Sequence, residues 1–270
     1  MTKVFIDGSA GTTGLRIYER LADRRDLEMI RLSEETRKDP MARREALAAA
    51  DVAFLCLPDA AAIEAVALAA DANTAIIDTS TAHRTNPSWA YGFPELAGRR
   101  ERIAASRRIA NPGCHASGFV ALVAPLIEQG LLSRDVRLSA FSLTGYTGGG
   151  KKMIAEYEDA ERDVLLDAPR AYALGQSHKH LPEIVVQCDL ANAPVFCPIV
   201  APYACGMEVT VPLHACDLKG TMADVQDVYR EYYQKGLVRF VETVDEGGFL
   251  SAGALDGRDD IIYKARRLNG

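Results

Sequence analysis

Val4-Phe5-Ile6-Asp7-Gly8-Ser9-Ala10-Gly11-Thr12-Thr13-Gly14-Leu15 decides the fold of the first part of this chain. A short apolar run, a glycine-dense turn and the start of a helical pattern follow one another without a break. Gly8, Gly11 and Gly14 fall in phase. Glycine at these points permits the tight turn and lets backbone N–H groups approach a pyrophosphate at the helix start. Ser9, Thr12 and Thr13 line the same turn. The bland reading is a tight strand–helix turn with no ligand.

Outward from this loop, strand and helix alternate. Apolar spacing predicts a helix over 15–21, a strand over 27–32, a helix over 41–50, a strand over 52–57, a helix over 60–70 and a strand over 75–77. The run Val52-Ala53-Phe54-Leu55-Cys56-Leu57 is apolar throughout, as a strand covered on both faces requires. Repeated β-α-β units imply a parallel sheet with helices on both sides. Residues 1–112 are expected to form a Rossmann-type dinucleotide-binding domain. From about residue 113 the alternation stops. Helices are predicted over 116–128, 151–166 and 222–233, with strands over 136–144, 195–200 and 207–213. Residues 113–270 are expected to form an α+β catalytic domain, giving an α/β chain overall.

The end of the second strand selects the cofactor. An NAD site usually places a carboxylate there to bond the ribose 2′-OH. Here the chain reads Ile30-Arg31-Leu32-Ser33 and then Arg37-Lys38. A hydroxyl with two cations, Ser33, Arg37 and Lys38, suits a 2′-phosphate and hence NADP(H). Glu34 and Glu35 leave a self-paired, solvated loop as the alternative.

Composition narrows the class. The 270 residues carry 31 Lys and Arg against 37 Asp and Glu, a formal charge of −6. Such a chain has no bulk attraction for nucleic acid or an anionic membrane, so an anionic ligand must be held by local groups. The longest apolar region, 52–77, is broken by Pro58, Asp59, Glu64 and Asp71 and is no membrane span. The six cysteines form no C-x-x-C pair and fit no common zinc spacing, so no metal is expected. No signal peptide precedes the first strand. These features point to a reduced, cytoplasmic compartment.

The chemistry concentrates in Ala110-Asn111-Pro112-Gly113-Cys114-His115-Ala116-Ser117-Gly118. A Pro-Gly turn delivers the Cys114 thiol to the first turn of a helix. The N–H groups and macrodipole there favour the thiolate, which is the better nucleophile. An inert core thiol is the alternative. A second cluster, His178-Lys179-His180, offers an imidazole for proton transfer. One of its two histidines is expected to be structural, as are His83, His115 and His214, although His115 beside the thiol could touch substrate. Arg84 follows a strand that should end at the ligand edge of the sheet and could clamp an anion; an ordinary surface arginine is the other reading. Gly145-Tyr146-Thr147-Gly148-Gly149-Gly150-Lys151 has the glycine for close backbone approach to a ligand, with Lys151 as anion partner, or is a flexible loop.

These runs, together with Tyr91-Gly92-Phe93-Pro94-Glu95-Leu96, His178-Lys179-His180-Leu181-Pro182-Glu183-Ile184 and Pro202-Tyr203-Ala204-Cys205-Gly206-Met207, resemble the N-acetyl-γ-glutamyl-phosphate reductases of the shorter, second type. The resemblance runs through most of the chain. It implies an acyl phosphate as substrate, inorganic phosphate as product, NADP(H), a Cys114 thioester and a place in arginine biosynthesis. It implies His178 as acid/base, with His180 less favoured and left to face substrate. It also implies a substrate and nicotinamide lining drawn from Arg84, Asn111, Lys151, Gly145 and Gly148, with Pro58 among the cofactor residues. A homo-oligomer, dimer or tetramer, formed through the second domain is implied as well. Family members normally continue into a Gly-Lys-Gly-Ala-Ser-Gly-like segment and a closing helix. This chain ends at Leu268-Asn269-Gly270, so either the sequence is cut short or the domain is expected to lack that element. Aspartyl phosphate or a carrier-linked aminoadipyl phosphate is the alternative substrate, and a dinucleotide-binding sensor without turnover the alternative class.

Overall fold

β1 (Thr2–Asp7) leads through the glycine turn into α1 (Thr12–Ala22), and the alternation continues in the computed structural model with β2 (Leu27–Ile30), α2 (Pro40–Ala49), β3 (Val52–Leu55), α3 (Asp59–Leu68) and β4 (Ala75–Asp78). β5 (Ala90–Tyr91), α4 (Arg99–Ala105) and β6 (Arg108–Ala110) complete this part. The structure describes residues 1–242, 247–263 and 265. The expectation about the chain end at 268–270 lies outside the described residues.

The chain divides into two units: 1–93 with 99–112, and 94–98 with 113–270. In the first, six parallel strands lie in the order β2-β1-β3-β4-β6-β5. The chain leaves β1 toward β2 and then returns to β3 on the other side. The carboxyl ends of β1 and β3 therefore flank the topological switch point, where such sheets bind ligands. Leu47, Leu55 and Ile76 are fully buried in the core beneath it. Each contributes about 1.5–3 kcal/mol through burial. α2 starts where its sequence dictates: the Asp39 carboxylate accepts N–H bonds from Met41 and Ala42, with Pro40 in the first turn.

The second unit comprises α5 (Cys114–Glu128), β7 (Ser139–Gly145), α6 (Gly150–Glu158), β8 (Arg170–Ala171), α7 (His180–Gln187), β9 (Val195–Ala201), β10 (Met207–Thr210), α8 (Met222–Tyr232), β11 (Val238–Phe240) and β12 (Ile261–Tyr263). Its four-stranded sheet has the order β10-β7-β9-β8. β7 and β9 are parallel and the outer pairs antiparallel. α5 lies close on β10: a Cβ at Gly118 would fall 2.5 Å from a Val209 methyl.

Several boundaries depart from the sequence reading; the strand expected over 207–213, for one, ends at Thr210. The helix expected over 151–166 ends at Glu158, because Asp159 is extended and the Asp163 carboxylate caps a separate 3-10 turn at Leu165. The strand expected from 136 begins at Ser139. Residues 178–180, expected in a loop, run straight into α7; Pro182 is tolerated there because first-turn N–H groups have no helical acceptor.

Candidate active site

The glycine turn of the first unit is built as the sequence requires. Gly8 has φ +87°, and a Cβ there would lie 2.3 Å from the Cys56 carbonyl oxygen. At Gly14 a Cβ would lie 2.4 Å from the Gly8 carbonyl. Gly11 donates its N–H to the Gly8 carbonyl at 2.9 Å and caps α1 without a side chain. No side chain at the cap competes for the first-turn N–H groups, so this cradle fits a pyrophosphate.

Sequence reasoning missed what braces the cradle. Asp7, at the end of β1, is buried and accepts from Arg43 Nε at 3.0 Å. Arg43 also donates to Glu64 on α3 at 3.0 Å. Burial pushes the Asp7 carboxyl up, and Arg43 opposes that shift. The only sequence signal was a carboxylate inside an apolar strand.

In the loop after β2, Ser33 donates to Glu35 at 3.1 Å and Arg37 pairs with Glu34 at 2.7 Å, while Lys38 is exposed. Pro58 caps α3. Arg84 is buried rather than presented at the surface: Nε donates to the Asn111 carbonyl at 2.8 Å and Nη2 to the Thr79 carbonyl at 2.9 Å. It ties the loop after β4 to the residue that follows β6. His83 stacks on Trp89 with 4.0 Å between centroids, and its Nδ1 lies 2.6 Å from the buried Asp78 carboxylate, the structural role expected of it.

In the second unit, Cys114 is the first residue of α5 and its thiol is exposed. Gly113, the N-cap, makes no side-chain cap; its N–H is taken by the buried Glu183 carboxylate of α7 at 2.7 Å. Glu183 thus joins the cysteine turn to the helix that follows the histidines.

Those histidines converge. The rings of His178 and His180 lie 4.7 Å apart, and His115 lies 5.6 Å from His178 and 5.5 Å from His180. His178 is half-buried, and burial followed by the Lys179 charge lowers its pKa. Its Nδ1 accepts the His180 N–H at 3.2 Å, so the neutral ring carries its proton on Nε2. His180 is buried. His115 points inward to Ser142 Oγ at 2.6 Å and Tyr172 Oη at 2.8 Å. Burial first, then the His178 and Lys179 charges, hold its pKa down to about 4. Sequence reasoning gave Tyr172, Ser142 and Glu183 no role, because only the fold brings the first two to His115 and the third to Gly113.

Gly145 has a packing reason to be glycine: a Cβ there would fall 2.5 Å from the Ala204 carbonyl. Thr147 fastens the same loop through N–H and hydroxyl bonds to that carbonyl at 3.0 and 2.6 Å. At Gly148 a Cβ would meet only Thr144 Oγ1, at 3.3 Å, and Lys151 is exposed at the start of α6. Among the described residues no cluster of three or more His, Cys, Asp or Glu is placed to hold a metal ion. No disulfide joins any of the six cysteines.

Comparison with known proteins matches residues 3–106 to the semialdehyde dehydrogenase NAD-binding domain and residues 114–262 to the semialdehyde dehydrogenase dimerisation domain. Solved structures agree on the fold. Aspartate semialdehyde dehydrogenase II from Vibrio cholerae superposes with a TM-score of 0.68 at 14% identity, covering 97% of this chain and 87% of the other. The Candida albicans aspartate semialdehyde dehydrogenase with NADP gives 0.64 at 16% identity, covering 90% and 83%. Fold and thiol centre together define a dinucleotide-linked oxidoreductase of the semialdehyde dehydrogenase class. Sequence goes further: the N-acetyl-gamma-glutamyl-phosphate reductases of Brucella anthropi and Brucella ovis are 48% and 47% identical over 267 residues, covering 96% of this chain and 86% of theirs. The chain belongs to the N-acetyl-gamma-glutamyl-phosphate reductase family.

Proposed function

We propose that the protein reduces N-acetyl-γ-glutamyl phosphate to the corresponding semialdehyde with NADPH, releasing inorganic phosphate, in arginine biosynthesis. The observation that carries this reading is an exposed cysteine at a helix start, with the half-buried His178 ring 5.6 Å from that of His115, the next residue. The family supplies the acyl group.

The Cys114 sulfur attacks the acyl carbon. Its negative charge is favoured by the first-turn N–H groups and dipole of α5. A C–S bond forms, the C–O bond to phosphate breaks, and phosphate departs with the bonding pair. His178, with its proton on Nε2, donates to the developing oxyanion and supplies the proton that the departing phosphate takes up; the aldehyde carbon takes its hydrogen as hydride, and the C–S bond then breaks to return the Cys114 thiolate. His180 stays the less favoured acid/base because it is buried; it and Asn111 frame the substrate, with Lys151 as its anion partner. Arg84 acts by holding the Asn111 carbonyl.

Gly8, Ser9, Gly11, Thr12, Thr13 and Gly14 would hold the pyrophosphate, and Pro58, Gly145 and Gly148 are the further candidate cofactor residues. Ser33, Arg37 and Lys38 would meet the 2′-phosphate. The Arg37–Glu34 pair is solvent-exposed. Such a pair is worth about 0–1 kcal/mol, so a doubly charged phosphate would displace Glu34. When bound, the dinucleotide supplies the hydride that converts thioester to aldehyde. Six unbridged cysteines suit a cytoplasmic protein. Among the described residues no helix is long and apolar enough to cross a membrane.

Phosphate-dependent reduction of NADP⁺ by the semialdehyde tests the reading in reverse. Cys114→Ser is expected to lower kcat/KM at least about a thousandfold while leaving cofactor affinity within about twofold. Turnover near wild type in that variant rejects the covalent route.

A further inference from the structure

A side chain takes over where β8 ends. In the antiparallel register Arg170 pairs with Val200 and Ala171 with Ile199. Tyr172 still donates its N–H to the Pro198 carbonyl at 3.1 Å. Carried further, the same register would set Leu174 opposite Phe196. The chain turns out instead: Ala173 has φ +51°, the Gln176 N–H closes on the Ala173 carbonyl at 3.0 Å, and Leu174 is exposed. That turn would leave the N–H and C=O of Phe196 on an unpaired edge of β9, and such groups need partners. Gln176 supplies both. Its Nε2 donates to the Phe196 carbonyl at 2.8 Å, and its Oε1 accepts the Phe196 N–H at 2.8 Å.

The backbone at Gln176 is unusual for a residue with a side chain. Its φ is +56°, a conformation that favours glycine, whereas the neighbouring Gly175 does not adopt it. The amide is therefore kept against the preference of the backbone. The turn it fastens decides where His178 falls. Six residues of regular strand span about 20 Å, yet the rings of Tyr172 and His178 lie 5.7 Å apart. Phe196 is the common anchor. Gln176 holds its backbone, while its ring meets His178 edge-on at 5.1 Å and His115 at 5.5 Å. We infer that Gln176 is a positioning residue: its amide fastens the 173–176 turn to β9 and so holds the His178 imidazole in its working place. The inference rests on His178 acting as the acid/base.

The test removes the amide and keeps the turn. Gln176→Gly suits a left-handed φ, so the backbone keeps its course while both bonds to Phe196 are lost. In phosphate-dependent reduction of NADP⁺ by the semialdehyde, kcat is expected to fall about tenfold to a hundredfold, with the KM for phosphate within about threefold. In a His178→Asn background the same change should cost less than about twofold, while its effect on the urea midpoint is the same in both backgrounds. A full loss in that background, or unchanged turnover in Gln176→Gly alone, overturns the inference. A second measurement needs no turnover. His178 is titrated by NMR of its imidazole C–H, the signal being assigned by its loss in His178→Asn. Burial, then the Lys179 charge, lowers the pKa of that ring; His115, Tyr172 and His180 are the other titratable groups packed around it. A loosened ring gains water and should titrate closer to 6.5, whereas a change in stability alone leaves the folded protein's titration where it was. An unmoved titration overturns the inference. Should His178→Asn keep wild-type turnover, the acid/base reading fails and the titration alone decides for Gln176. Should Gln176→Gly fail to fold, Gln176→Glu decides by the same measurements: it keeps an acceptor for the Phe196 N–H and sets a carboxylate against the Phe196 carbonyl.

Discussion

His115 shows what one residue does to the pH response of the fold. Its imidazole titrates near 6.5 when unfolded and at about 4 in the folded chain, chiefly because burial disfavours the cation. Above 6.5 neither state holds the extra proton and this group leaves stability flat. As pH falls from 6.5 to 4 the unfolded chain takes up a proton that the fold refuses. Stability is therefore lost on acidification, by about 3 kcal/mol in total for this group. Urea unfolding at intervals between pH 7 and 4.5 should show a steeper loss in wild type than in His115→Gln, whatever that change does to stability at pH 7. Parallel curves would sink the claim. The neighbouring residues divide by how local their signal is. Cys114 was legible because the Pro-Gly turn and the helix start lie within a few residues of it. Arg84 was legible as a candidate anion clamp, but its burial, which removes the surface-arginine reading, and its bonds to the backbone carbonyls of Asn111 and Thr79 come only from the fold.

At the scale of elements, α5 carries a defect that its neighbour repairs. The Ala121 carbonyl would take the N–H of residue 125, but that residue is proline. The Tyr233 hydroxyl, from the end of α8, donates to it instead at 2.9 Å, and Tyr229 donates to the adjacent Leu122 carbonyl at 2.5 Å. Tyr233→Phe is expected to cost about 1–3 kcal/mol, since it leaves a buried acceptor unmet. In a Pro125→Ala background the helix supplies its own N–H, and the same change should cost less than half as much. A double-mutant cycle by chemical denaturation measures the coupling; additive costs would mean that Tyr233 contributes through packing alone. Sequence could not have shown this. Helical periodicity predicted α5 and α8 separately, and the bond joins residues 112 positions apart. The same limit hid β5, β6 and β8, two- or three-residue strands set by their partners rather than by any pattern of their own. The alternating elements of the first unit were legible because each carries its full apolar signature.

For the whole molecule, the question is what covers the second unit's sheet. Along β7, Ala140, Ser142 and Thr144 are buried, whereas Phe141 is 44% exposed; on β9, Phe196, Pro198 and Val200 are buried and Val195 is 54% exposed. Leu143, Cys197 and Ile199 fall on the outward face with Phe141 and Val195, since Phe141 pairs with Cys197 and Leu143 with Ile199. A sheet apolar on both faces is built to be covered on both. The second unit matches a dimerisation domain, and we propose that a second copy of this chain lies on that face. A twofold contact uses each residue twice, so Phe141→Lys removes two aromatic anchors and sets two cations in their place. At about 1.5 kcal/mol or more per ring, the dissociation constant should rise about a hundredfold or more. Sedimentation velocity over a range of concentrations reads this directly. A wild-type chain that stays monomeric, or a Phe141→Lys chain that associates as before, would show that the apolar face serves something other than self-association.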